Sequence, residues 1–194
     1  SVTNMNYMFN GAGFQGTGFN QDLNSWDVSS VTGMQGMFAG GFFNGDISSW
    51  DVSSVTSMHR MFMGTSSFNQ DISGWDVSSV TNMTEMFRHS YFNQDISSWN
   101  VSNVTSISSM FAHCLDFNQD ISSWDVSNVQ SMSGTFYNAT SFNQDISSWD
   151  LSSVIHMGNM FHLADALSEE NKCAIHESFQ TNDVWPHDDW SAYC

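Results

Sequence analysis

Residues 43–62 read Phe-Asn-Gly-Asp-Ile-Ser-Ser-Trp-Asp-Val-Ser-Ser-Val-Thr-Ser-Met-His-Arg-Met-Phe, and most of the chain is this stretch written again. Its tryptophan recurs as Trp26, Trp50, Trp75, Trp99, Trp124 and Trp149, at intervals of 24 or 25 residues. The phenylalanine of the opening Phe-Asn keeps the same beat, at Phe19, Phe43, Phe68, Phe92, Phe117 and Phe142. A fixed period of about 20–50 residues is the signature of a solenoid, in which each copy is one rung and buries its apolar edge only against its neighbours.

Within a copy, Ile47, Trp50, Val52 and Val55 fit the first nine positions of the leucine-rich pattern. Trp50 and Val52 are two apart and therefore share one face of a short strand, with Ser49, Asp51 and Ser53 on the other. Met58, Met61 and Phe62 stand at i, i+3 and i+4, which predicts a short helical or 3₁₀ turn facing inward. The fold class expected from this pattern is an α/β-type repeat solenoid with one short parallel strand per rung. The methionines and aromatics are assigned to its stacked core and not to a thioether metal site.

Residues 1–18 read as a partial first rung with a glycine-rich loop (Asn10 to Gly18), residues 19–162 as the repeats, and residues 163–194 as a C-terminal cap. In the cap, Ser168 followed by Glu169 and Glu170 marks a helix start, with the helix running to about Phe179. The opening Ser1-Val2-Thr3-Asn4-Met5 aligns with Ser30-Val31-Thr32-Gly33-Met34 in mid-repeat, which reads as a piece trimmed from something longer.

Among 194 residues, three are basic and twenty acidic, for a formal net charge of -17. Nucleic-acid binding rests on basic side chains and is excluded as an expectation; anionic membrane surfaces are disfavoured for the same reason. Divalent cations or cationic partners fit the charge, and so does simple solubility. No stretch approaches the roughly 18 apolar residues of a membrane span. Cys173 and Cys194, both in the cap, are expected to pair, which implies an oxidising, extracellular setting. Cys114 is left as a half-buried free thiol.

The recurring Phe-Asn-Gln-Asp-Ile-Ser-Ser-Trp-Asp-Val-Ser-Ser-Val-Thr-x-Met-x-x-Met-Phe resembles the bacterial surface protein 26-residue repeat family (BspA-like), a divergent leucine-rich-repeat group. The resemblance spans nearly all of residues 1–162. It implies a right-handed leucine-rich-repeat-like coil, display at the cell surface, and adhesion or protein binding. Two departures stand out: the period is 24–25 residues, and valine (Val31, Val55, Val80) holds the ninth position, where ordinary leucine-rich repeats carry asparagine.

Stacking turns each fixed position into a ladder. The Asn20, Asn44, Asn69, Asn93, Asn118, Asn143 ladder is expected to hydrogen-bond itself and the turn backbone. For Asp22, Asp46, Asp71, Asp95, Asp120 and Asp145 the expectation is an Asx-turn. The second acidic ladder, Asp27, Asp51, Asp76, Asp125 and Asp150 with Asn100 in the gap, has nothing local to hold it on this reading. Like charges about 5 Å apart repel by about 0.8 kcal/mol even in bulk water. Calcium bridging these carboxylates is therefore a candidate. Ice binding is disfavoured, because the face is Ser-Asp-Ser and charged, not a threonine array.

Variation clusters between the two methionines and just after Met-Phe. His59, Arg60, Arg88, His89, Tyr91 and His113 fall there on consecutive rungs and form the candidate partner site. His89 and His113 share a rung position, yet two histidines without a third ligand make a poor metal site. No nucleophile elbow, His-Glu-x-x-His or phosphate loop occurs, so no enzyme activity is expected. The expectation is an extracellular adhesion module for a protein or glycan ligand, requiring no cofactor. A calcium-stabilised rod and a filament subunit stacking through the N-terminal rung are the alternatives.

Overall fold

The computed structural model describes residues 1–12 and 18–194. The expected loop at Asn10 to Gly18 lies largely outside the described residues.

Each repeat sits directly on the next, and one segment makes most of the backbone-to-backbone contact. The N–H groups of Met58, Arg60, Phe62 and Gly64 donate to the carbonyls of Asn82, Thr84, Met86 and Arg88 in the following repeat, at 2.7–3.0 Å. Met83, Glu85, Phe87 and His89 repeat the pattern onto Ser106, Ser108, Met110 and Ala112. In the other direction Thr56 donates to Thr32, and Thr81 to Thr56. The result is one parallel bridge per repeat, running through Asn4, Gly33, Ser57, Asn82, Ser106, Ser131 and His156.

These bridges overturn the strand-per-rung, leucine-rich-repeat-like coil. No strand longer than a single bridged residue forms among the described residues, and the bridge falls at Ser57 instead of Trp50–Val52. The Trp50 N–H donates to the Ile47 carbonyl and the Val55 N–H to Val52, so the chain turns twice within nine residues. Trp50 and Val52 do face inward and Asp51 outward, but as corners of linked turns.

The short helix at Met58–Phe62 is absent as well. Met61 donates to Met58, Met63 to Arg60 and Thr65 to Phe62, which are successive i→i+3 turns. Arg60 (φ 57°) and Gly64 (φ 68°) are left-handed, a conformation that cannot propagate a right-handed helix. The same two positions are left-handed throughout. One column runs Tyr7, Gly36, Arg60, Glu85, Ser109, Gly134, Asn159; the other runs Gly11, Gly40, Gly64, His89, His113, Asn138, Leu163. Linked turns place Met58, Met61, Phe62 and Thr65 inside and His59, Arg60, Met63 and Gly64 towards solvent. An i, i+3, i+4 apolar spacing thus arises without a helix.

Two phenylalanine columns fill the interior. Phe38, Phe62, Phe87, Phe111, Phe136 and Phe161 stack at centroid distances of 5.5–5.9 Å. Within each repeat the second column closes on the first, as in Phe62–Phe68 at 3.8 Å and Phe111–Phe117 at 3.8 Å. Such pairs add about 0.5–1.5 kcal/mol each beyond their buried area. The tryptophans stack along the chain, with Trp50–Trp75 and Trp124–Trp149 at 6.5 Å. Each indole N–H reaches back one repeat: Trp75 donates to the Ile47 carbonyl, Trp99 to Ile72 and Trp124 to Ile96. At the other end of the stack Phe9, Phe19 and Trp26 are only partly buried.

The asparagines form the expected ladder. Asn44 Oδ1 accepts the Asn69 N–H, Asn69 Oδ1 the Asn93 N–H, and so on to Asn143. The C-terminal segment then imitates one more repeat with different residues. Ser168 N–H donates to Asn143 Oδ1, and Asn171 Nδ2 takes the place that Gln70, Gln119 and Gln144 hold in earlier repeats. The helix α1, Glu169–Phe179, starts on Ser168, whose hydroxyl accepts the Asn171 N–H. Trp185 and Trp190 close over Phe161 at 6.4 and 5.3 Å. The disulfide Cys173–Cys194, with Cα atoms 5.0 Å apart, ties α1 to the end of the chain.

Leu163 is exposed and left-handed, so its Cβ costs about 1–2 kcal/mol with little packing in return. Leu163→Gly is expected to raise the thermal midpoint by about 2–4 °C, a net gain of about 1 kcal/mol. Gly64→Val at the same column position is expected to lower it. Differential scanning calorimetry of both variants checks the assignment; a loss in the first or a gain in the second contradicts it.

Candidate functional site

Two outward surfaces hold the residues singled out by sequence. On the first, all five aspartates of the second acidic ladder are exposed. The premise that nothing local holds them is wrong. Asp51 Oδ1 accepts both the N–H and the hydroxyl of Ser53, at 3.1 and 2.6 Å, and Asp27 and Asp125 do the same with Ser29 and Ser127. Asp76 and Asp150 accept the N–H of Ser78 and Ser152. The first ladder is built alike: Asp46, Asp71, Asp95, Asp120 and Asp145 each accept the N–H two residues on. Both ladders are Asx-turns. The serine hydroxyls and N–H groups favour the charged form and hold Asp27, Asp51, Asp76 and Asp125 below the ordinary aspartate value. These bonds hold each carboxylate locally, while the neighbouring aspartates Asp27 and Asp76 still oppose the charge on Asp51.

The second surface is the turn edge. Every non-glycine left-handed residue lies on it, and the candidate partner residues occupy the left-handed columns or their neighbours. Arg60 and Arg88 are brought together by a residue not singled out from sequence, Glu85. Arg60 Nε and Nη2 donate to the two oxygens of Glu85 at 3.2 and 2.9 Å, and Arg88 Nη1 donates to Oε2 at 3.0 Å. Burial alone would raise the Glu85 carboxyl, but the hydrogen bonds and charges of both arginines bring it below the usual value. A signal was available: Glu85 lies one period beyond Arg60 and three residues before Arg88.

His89 and His113 stack with ring centroids 4.3 Å apart and planes 12° from parallel. Burial, the neighbouring imidazole and Arg88 lower the His89 pKa; burial and Arg88 lower that of His113. His113 Nδ1 lies 3.0 Å from Asn138 Nδ2. His59 is drawn the other way, its Nδ1 2.6 Å from Gln35 Nε2. Tyr91 lies just past the edge at the position that Phe42 holds two repeats earlier, and the two residues are 48% and 47% exposed.

Beside the histidine stack lies a hollow of about 380 Å³. Its lining combines the small residues Ser109, Ala112, Ser133, Gly134 and Gly158 with Arg88, His113, Tyr137 and Asn159. A second, more apolar hollow of about 440 Å³ lies on the other side of His89, over Gly40, Gly41, Gly64 and Phe42. The candidate partner residues include Arg88 and His113 of this lining; Ser109 stands in the variable stretch between Ile107 and Met110, and Tyr137, Ser133, Gly134 and Gly158 were not singled out. Small residues on successive repeats at two aligned positions were the available signal.

Cys114 is no reactive thiol. It belongs to a buried column of small residues, Thr65, Ser90, Cys114, Ala139 and Ala164, and burial pushes its pKa up to about 12. Among the described residues, the close grouping of three potential metal ligands is Cys173, Glu177 and Cys194, two of which form the disulfide. No helix among them is long and apolar enough to cross a membrane.

A stack of near-identical units with one variable edge defines a repeat protein. The chain belongs to the family described as "Mycoplasma protein of unknown function, DUF285", whose model matches residues 1–91 and again 71–173. No curated protein and no solved structure matches it. The family match supports a repeat family and carries no leucine-rich-repeat or BspA-like assignment.

Asn100 is a natural test of the Asx-turn reading, since its Oδ1 accepts the N–H and hydroxyl of Ser102 as aspartate does elsewhere. Asp51→Asn is therefore expected to leave the thermal midpoint unchanged, and Asp51→Ala to lower it by several degrees. Equal losses in both variants would mean that the charge, not the turn bond, matters there.

Proposed function

We propose that this chain is an extracellular binding module that engages a protein or glycan through its turn edge. The observation carrying this reading is where the repeats differ. Inward columns are almost uniform, and the aspartate face changes at few positions (Gly74, Asn100, Asn103, Asn128), while the edge changes from repeat to repeat and gathers histidine, arginine and tyrosine around a hollow. Exposed side chains that no packing requirement fixes are free to specify a partner. Two of the three basic residues of a chain with net charge -17 stand on this edge, so an electronegative group meets two guanidinium groups there at short range. The cap disulfide fits an oxidising compartment.

Gly158 has open space around its Cα and an ordinary φ, so Gly158→Trp fills the hollow without backbone strain. Gly74, on the opposite surface, has open space too and serves as a control. On an array of immobilised glycans and extracellular matrix proteins, binding is expected to be lost in Gly158→Trp and Arg88→Glu and kept in Gly74→Trp. Binding that survives both edge substitutions, or disappears with Gly74→Trp, overturns the reading.

A further inference from the structure

The hollow at Arg88, His113 and Tyr137 has a chemistry more specific than general adhesion. We propose that it is a subsite for a carboxylated sugar, a hexuronic-acid unit of an acidic glycan; this deepens the binding-edge reading and rests on it.

The chain has three basic residues. Lys172 lies in the cap, over the Tyr193 ring. Arg60 is committed to Glu85 through two hydrogen bonds that use both carboxylate oxygens. Arg88 reaches the same carboxylate with Nη1 alone, leaving the Nε and Nη2 side of its guanidinium without a bond. A guanidinium with one fork open is suited to a planar carboxylate, which it can hold through two parallel N–H···O bonds. Two arginines sharing one glutamate also leave a local surplus of one positive charge. The exposed aspartates oppose an anion, but the field between exposed charges fades over the roughly 8–10 Å screening length, whereas a contact pair is barely screened.

The lining of the hollow favours a sugar over a peptide. It includes Ser109, Ser133 and glycine backbone, offering hydroxyls that both donate and accept, as sugar hydroxyls require. Gly134 comes so close to Ser109 that even a Cβ there would meet its Oγ at 3.2 Å, so a larger residue would crowd the hollow. Tyr137 is half-buried in the lining, its ring packed 5.2 Å from both His113 and His162, and adds an aromatic edge and a hydroxyl to the hollow. The hollow has no deep apolar socket of the kind that anchors a peptide side chain. About 380 Å³ suits a compact ring and its solvent better than an extended chain.

The test is an NMR titration of the ¹⁵N-labelled chain at fixed ionic strength with sodium glucuronate, glucose, sodium acetate and a glutamate-rich peptide. Glucuronate is expected to shift the amides of Ser109, His113, Ser133 and Gly158, with glucose and acetate weaker by about tenfold or more. Arg88→Gln is expected to weaken glucuronate about tenfold, Gly158→Trp to abolish its binding, and Gly74→Trp to change nothing. Thermal melts of each variant establish that it is folded. Acetate equal to glucuronate reduces the site to an anion contact, and glucose equal to glucuronate removes the role of Arg88. Shifts with the peptide alone make the partner a protein, and shifts elsewhere than the hollow displace the site; each of these outcomes overturns the proposal. If glucuronate fails while array binding is still lost in Gly158→Trp, the sugar class falls and the binding edge stands.

Discussion

A left-handed residue recurs twice in every turn edge, and that conformation decides where the backbone hydrogen bonds go. At Arg60 and Gly64 the chain cannot continue as a helix, so the N–H groups of Met58, Arg60, Phe62 and Gly64 point along the stack and find carbonyls one repeat on. Four bonds per repeat, each worth about 0.5–1.5 kcal/mol net, tie neighbours together at fixed register. Register in turn places Phe over Phe, Trp over Trp and Asn over Asn. The tryptophan N–H closes the same logic from the other side, reaching the carbonyl of the preceding Ile. Uniform columns are a consequence of this alignment, since a misfit in one repeat is felt by the repeats above and below.

The same constraint explains which positions vary. Inside, Met58, Met61, Phe62 and Thr65 have neighbours on every side. Outside, the left-handed columns carry side chains that point away from the core. There the backbone would favour glycine, which Gly36, Gly40, Gly64 and Gly134 supply; Arg60, Glu85, His89 and His113 hold strained conformations at the same positions. Backbone strain of about 1–3 kcal/mol per non-glycine residue is spread along the whole edge, from Tyr7 to Leu163, and is offset by the bonds that this conformation directs to the next repeat.

Much of this was legible in the sequence, and the errors have identifiable causes. The repeat, the inward residues, the Asn ladder, the start of α1 at Ser168 and the Cys173–Cys194 pair could all be read from spacing. The strand and the short helix could not, because period-2 and i, i+3, i+4 spacings fit linked turns equally well: Trp50 and Val52 face inward in either case, as do Met58, Met61 and Phe62. The clue that separates them is glycine at aligned positions in the edge, Gly36 with Gly134 and Gly40 with Gly64. The second aspartate ladder was misread because its serine, two residues on, was treated as a neighbour on the same face and not as a donor. Glu85 and Tyr137 were missed because their roles depend on which repeats sit side by side, which no single copy reveals.

The central claim is that the turn edge bonds to the next repeat and not within itself. The most direct measurement is the set of through-hydrogen-bond NMR couplings from the amide nitrogen of Arg60 and its equivalents. A coupling from Arg60 N to the carbonyl carbon of Thr84, with Met58 to Asn82 and Phe62 to Met86 alongside, is the predicted result. A coupling from Arg60 N to the carbonyl of Thr56, four residues back in its own repeat, would restore the helix and contradict the account.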